Sequence, residues 1–338
     1  MGQGIGWRRL EISLGGVFAF ALTALLLLAP ATQSVDAAVD RSVALSPKLV
    51  PATGALFGVA AGPRDGRSWQ GELEYLETKI GRRFALDRRF YRWDAAFPGD
   101  YEGWTVSKGR IPLLSWGPVT LDGRFLSWKQ IAAGGYDADI RAKARAAKAF
   151  GHRFMLIYTH EANIYSQPAA DFVAAWRRVV TIFRQEGAWN VVWVWTMTAH
   201  LFQPGGKDPN HYYPGNAYVD WIAADAYNWY GDNHLGIKGA WRSFEEILTP
   251  FYNWAKWRGK PLMVPEYGSL EDWTTPSPLR RAQWFTDVGK TLKKWPQVKG
   301  IAYFNQGGFW FDTNEKGVPM PHSIAAFAAL GQDPYFNP

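Results

Sequence analysis

The amino-acid sequence predicts a (β/α)₈ barrel, and three observations carry the prediction. Eight short apolar runs recur over roughly 280 residues, each followed by a helical or loop segment, and a barrel of this kind typically takes ~250 residues. Several runs are almost continuously apolar, as parallel strands buried on both faces must be. No glycine-rich phosphate loop follows the first run. "GVAAGPRDGRS" has neither dinucleotide nor P-loop spacing, which argues against an open doubly wound sheet.

The expected strands lie in "ALFGVAAG" from Ala55, "RFALDRRFYRWD" from Arg83, "RIPLLSWGP" from Arg110 and "HRFMLIYTHEAN" from His152. The other four lie in "NVVWVWTMTA" from Asn190, "VDWIAADAYNW" from Val219, "PLMVPEYGSL" from Pro261 and "VKGIAYFNQG" from Val298. The clearest helix is "PAADFVAAWRRVVTIFRQEGA". Its Phe172, Trp176, Val179, Val180 and Phe183 share one face, and Gly187 follows as a stop. The densest basic stretch, Arg141 to Lys148, alternates with alanines at helical spacing. It reads as a solvated helix face rather than a nucleic-acid site.

Before the barrel stands a different kind of segment. Arg8 and Arg9 precede the apolar run Ile12–Ala29, and small residues such as Val35 and Ala37 follow, the pattern of an export signal over 1–37. The run is also long enough for an uncleaved membrane anchor, which is the alternative. Residues 38–53 read as a linker and 54–338 as one catalytic domain, so the barrel is expected outside the cytoplasm. There is no cysteine, which excludes disulfides, thiolate catalysis and Cys-ligated metals, and leaves stability to the core. The 19 Trp, 15 Tyr and 20 Phe exceed what packing usually needs, and flat aromatic faces suit the C–H faces of sugars.

In a barrel, chemistry sits where strands end. The fourth run ends in "YTHEAN" and the seventh contains "PEYG", placing Glu161 and Glu266 where apolar strand gives way to loop. A carboxylate there is costly unless paired or used. About 105 residues separate them, three βα units of ~35, consistent with strands four and seven. Two glutamates across one mouth suit glycoside hydrolysis, in which one protonates the leaving oxygen and the other attacks the anomeric carbon or activates water. A structural ion pair with an arginine is the alternative for either glutamate alone.

Five pieces in this order, "HEAN" after a strand, "FVAAWRRVVTIFRQEGAWNVVWVW", "YYPGNAYVDWIAADAYN", "EYGS" and "VKGIAYFN", resemble glycoside hydrolase family 26. The resemblance begins near "FGVAAG" and includes "GRIPLLSW". It implies a retaining (β/α)₈ glycosidase of the β-mannanase type, with Glu161 as acid/base and Glu266 as nucleophile. It further implies that His160 shapes the site beside the cleaved bond and that Tyr227 hydrogen-bonds the nucleophile. Asp225 matches an acidic residue near that tyrosine, Trp116 an aromatic sugar platform, and Trp310 a floor for the reacting sugar. Tyr165 and Trp229 follow strands four and six and are expected to rim the same mouth.

The chain also departs from the family pattern. "HEANIYS" keeps Asn163, but Ala162 and Ile164 replace methionine and glycine and no tryptophan follows; Tyr165 is the nearest aromatic. The arginine common three residues before the histidine is Ile157 here. These changes fall beside the cleavage site and leave open β-1,4-mannan, another β-glycan or a bacterial exopolysaccharide. A barrel that binds glycan without cleaving it is the alternative outside the enzyme class. "HEANI" is not HExxH, and His152, His200, His211, His234 and His322 show no pairwise metal spacing, so no metal or cofactor is expected. His200 and His211 are surface or cleft residues. The expected partner is a polysaccharide or oligosaccharide, with no nucleic acid, and the protein is expected to be a monomer.

Overall fold

The computed structural model describes residues 45–337, except 233–237, 272–276 and 315. The expected export signal and the first residues of the linker lie outside the described residues. Eight parallel strands close a barrel in sequential order. They are β1 (Leu56–Ala61), β2 (Leu86–Tyr91), β3 (Ile111–Trp116), β4 (Phe154–Tyr158), β5 (Val191–Thr198), β6 (Trp221–Asn228), β7 (Leu262–Ser269) and β8 (Val298–Asn305). Each falls inside a run read from the sequence.

Helices α1 (Trp69–Ile80), α2 (Asp100–Ser107), α3 (Trp128–Ala132), α4 (Asp137–Phe150) and α5 (Ala169–Gln185) follow the first four strands. Helices α6 (Phe244–Ala255), α7 (Arg280–Lys294) and α8 (Pro321–Gln332) follow the last three. The segment after β5 is different: short 3₁₀ turns at Ala199–Phe202, Pro209–His211 and Asn216–Tyr218 stand where an α-helix is usual. Pro204, Gly205, Gly206, Pro209, Pro214 and Gly215 punctuate it too densely for a regular helix.

Two apolar layers result. Leu56, Leu86, Leu113, Met155, Val192, Trp221 and Met263 fill the barrel. Phe57, Leu114, Tyr158, Trp193, Val264 and Tyr303 face the helices, where Phe172, Trp176, Val179, Val180 and Phe183 of α5 meet them. The period of two along each strand sorts side chains between these layers. The segment expected as a linker is packed from Leu45 onward: Leu49 is buried with the barrel interior, and Trp221 donates its indole N–H to the Lys48 carbonyl at 2.7 Å. An apolar side chain capping the N-terminal end of the barrel removes its interior from water, which a solvated linker would not do.

Candidate active site

Strand alternation brings the site together. On β2, Leu86 faces inward, so Arg88 and Phe90 follow it into the barrel. On β6, Ala223 faces inward, and Asp225 and Tyr227 repeat its direction. On β7 the alternation is broken. Ala223 and Ala226 of β6 pair with Met263 and Tyr267, and Ile301 and Tyr303 of β8 pair with Val264 and Tyr267. Against both neighbours β7 uses one residue more. This bulge contains Pro265, which has no N–H to give a ladder. Met263 faces inward while Val264 and Tyr267 face the helices, so strict alternation would turn Glu266 outward. The extra residue turns Glu266 into the mouth.

At the end of β4 the backbone turns sharply. Thr159 and Glu161 both adopt left-handed conformations, φ 51° and 54°, on either side of His160. Neighbours hold this turn: Thr159 N–H donates to the Trp116 carbonyl at 2.9 Å, and Glu161 N–H to the Thr196 carbonyl at 3.1 Å. The Asn163 amide then clamps β5, donating to Thr198 Oγ1 at 2.7 Å and accepting from Thr198 N–H at 3.1 Å. Asn163 thus ties the Glu161-bearing turn to β5.

The two glutamates have unlike surroundings. Glu266 is 4% exposed and held from two sides, by Arg88 at 2.8 Å on Oε1 and by the Tyr227 hydroxyl at 2.7 Å on Oε2. Hydrogen bonds and an adjacent cation favour a carboxylate's charged form. Glu161 is half-buried, and burial together with the charge of Glu266 pushes its pKa up to about 8, against a smaller opposing effect of Arg88. Asp225 is pushed well above the carboxylate range by burial and then by Glu266 and Glu161. Burial pushes His160 down to about 4, so its ring is neutral near pH 7, lying 5.4 Å from Phe90. Burial and a neighbouring charge favour the protonated form of Glu161, while a cation and a hydroxyl hold Glu266, surroundings unlike enough for two different roles.

No protein-family model matches the chain. It is 27% identical over 275 residues to endoglucanase H of Acetivibrio thermocellus, a match that covers 76% of this chain and 28% of that protein. The chain therefore spans less than a third of that relative. Among solved structures it matches the catalytic domain of a GH26 endo-β-1,4-mannanase from Bacillus sp. JAMB-750, with a TM-score of 0.61 and 19% identity, covering 83% of this chain and 86% of that one. It also matches a GH26 β-mannanase from Bacteroides ovatus, with a TM-score of 0.58, 15% identity and coverage of 86% and 91%. The fold is that of the family 26 glycoside hydrolases.

On this barrel, most of the sequence-read residues converge. Glu161, Glu266, His160, Asp225 and Tyr227 are linked by the contacts and charges above. Trp229 is 37% exposed and packs 5.3 Å from Tyr227. Tyr165 lies half-buried against Phe125 at 5.1 Å and Trp128 at 5.7 Å, and burial and the Glu161 charge raise its pKa. His200 and His211 are exposed.

One expected platform stands elsewhere. Trp116 is fully buried among Trp93, Phe97 and Tyr158, with its indole N–H on the Trp93 carbonyl at 3.0 Å, so no sugar can reach its face. With Leu113 facing inward, alternation sends Trp116 to the helix layer. Trp310, half-buried in the loop after β8, stays at the mouth end, packed against the Arg64 guanidinium of the loop after β1 at 5.5 Å. Its neighbour Phe309 takes the position against Tyr227, with ring centroids 4.9 Å apart. Arg88, Phe90 and Phe309 were not read from the sequence. A signal for Arg88 exists in "LDRRFY", where period two from Leu86 places a cation inside a buried strand.

Proposed function

We propose that this chain is a retaining glycoside hydrolase that cleaves β-linked polysaccharide internally, acts on β-1,4-mannan-type chains first, and works outside the cytoplasm. The observation that carries the reading is the pairing of a protonated Glu161 with a doubly held Glu266 at one barrel mouth. The family 26 fold and the relatives' names supply the substrate class. Those names divide between mannan and glucan, and Ala162, Ile164 and Tyr165 beside the acid keep the sugar open.

Glu161 donates its proton to the glycosidic oxygen as the bond from that oxygen to the anomeric carbon breaks. A Glu266 oxygen attacks the same carbon from the opposite face as that bond breaks, giving a glycosyl ester. Esterification removes the Glu266 charge, one of the two causes that raise Glu161, so the Glu161 pKa falls. Glu161, now a carboxylate, takes a proton from water as the water oxygen attacks the anomeric carbon and Glu266 departs ionised. Two inversions leave the configuration retained. One electrostatic coupling thus serves both steps.

The test is a panel of β-mannans, glucomannan, β-glucans and exopolysaccharides incubated with the purified protein. Released oligosaccharides are identified by mass spectrometry and the first-formed anomer by NMR. Oligosaccharides of retained configuration support the reading. Binding without release would make the barrel a non-catalytic glycan receptor, and an inverted first product would remove Glu266 as nucleophile.

A further inference from the structure

The end of the barrel opposite the mouth carries features that the catalytic reading does not use. The two most exposed tryptophans among the described residues are both there: Trp189 at 70%, in the turn from α5 into β5, and Trp257 at 84%, in the turn from α6 into β7. Large rings in water are costly, and exposed indoles concentrate where a protein meets a partner or a membrane interface. Arg153, Lys256 and Lys260 stand in the same set of turns. The acids of these turns are already engaged: Glu186 by Arg141, Asp220 by Lys48 and Asp333 by Lys293. That leaves the face with a surplus of positive charge around two indoles.

The chain itself says what such a face would meet. It enters the described structure on this face, where Leu45 and Leu49 share a hollow with Trp189. The apolar run Ile12–Ala29 ends about 16 residues before Leu45, a tether of at most ~58 Å even fully extended. Arg8 and Arg9 precede the run and Arg41 and Lys48 follow it within 20 residues, so its flanks are equally charged, and the outward placement of the barrel rests on the function proposed above. Of the two sequence readings of that run, the exposed indoles and unbalanced cations favour the retained anchor. We propose that the barrel end bearing Trp189 and Trp257 rests on an anionic lipid bilayer, with Ile12–Ala29 kept as its anchor and the catalytic mouth turned away from the membrane toward incoming polysaccharide.

The absence of cysteine gives a clean test. The full chain carrying Trp257→Cys, Trp189→Cys or Leu121→Cys is labelled with an environment-sensitive fluorophore and reconstituted in vesicles with brominated acyl chains. Leu121, 66% exposed in the loop after β3, reports the mouth. The expected result is at least about two-fold quenching of the labels at 257 and 189, with the label at 121 unchanged, since interfacial residues sit at headgroup depth. The effect should weaken when anionic lipid is replaced by zwitterionic lipid, and in the Lys256→Glu/Lys260→Glu variant. Equal quenching at all three positions, or none at 257 and 189, would overturn the proposal. So would mass spectra showing the apolar run removed from the exported protein.

Discussion

Arg88 on β2 donates a 2.8 Å hydrogen bond to Oε1 of Glu266 on β7, across the inside of the barrel and 178 residues away in sequence. Where the family resemblance expects an arginine, position 157 holds isoleucine, buried in the barrel interior. The cation beside Glu266 is Arg88 of β2, fully buried and stacked 4.3 Å from Phe90. A buried carboxylate that loses its cation leaves an uncompensated charge, a change that costs about 3–5 kcal/mol.

Arg88→Met should therefore lower kcat/KM by ~10²-fold or more, since the nucleophile loses both charge partner and orientation. Arg88 also lowers the Glu161 pKa, so the alkaline limb of the pH profile should move upward in the variant. Arg88→Lys should restore part of the rate. Profiles and melting curves together separate the two roles: a fall in Tm with an unshifted limb in the remaining activity would make Arg88 merely structural.

The pH dependence of the native protein follows from Glu161. Its raised pKa keeps the acid protonated below about 8, so cleavage of a polysaccharide should fall as pH rises through about 8. An aryl glycoside with a good leaving group needs little protonation and should lack that limb in its first step. Measuring kcat/KM for both substrates across pH checks this, and identical limbs would detach the limb from Glu161.

The two glutamates should fail differently. Glu161→Ala should accumulate a glycosyl ester from an activated substrate, visible as a burst, and azide should rescue it to a β-glycosyl azide. Glu266→Ala should show no burst with any leaving group, and azide can rescue it only by direct inversion to the α-azide. Retention also expects the two carboxyl groups ~5–5.5 Å apart in a crystal of a trapped complex. An inverted azide from Glu161→Ala would exchange the roles, and losses below ~10²-fold in both would remove the site.

Trp116 and Trp229 should separate stability from binding. Trp116→Ala opens a cavity in the helix layer and should cost ~3–5 kcal/mol, lowering Tm. Trp229→Ala, at an exposed position beside Tyr227, should weaken productive binding and leave Tm nearly unchanged. Kinetics beside melting curves decide it. If Trp116→Ala changed KM alone, its burial in this fold would have to be abandoned.

Much of the molecule is set by local chemistry. Apolar runs with turn signals at their ends mark most of the strands, because strands buried on both faces favour apolar residues, and the charged β2, LDRRFY, is the exception. Glu161 and Glu266 stand out because a carboxyl group at the end of such a run is costly unless it is used. The helix over Ala169–Gln185 follows from its apolar stripe and from Gly187. What local pattern left open is which way each side chain turns. Trp116 looked like a platform by position after β3, yet the pairing of β3 with its neighbours sends it to the helix layer. Trp310 and Phe309 are adjacent in sequence, and only packing shows that it is Phe309 that lies against Tyr227.

Glu266 shows the limit most clearly. By alternation from Met263 it belongs among the helices, and one extra residue in β7, measured against both β6 and β8, brings it inside. The sequence by itself determined that this chain closes a barrel and carries two glutamates at its strand ends. The tertiary structure decided that the charge of one reaches the other, and that Arg88 and Tyr227 hold Glu266. A bulge exists only relative to neighbouring strands, and a buried ion pair only once distant strands are closed into a ring.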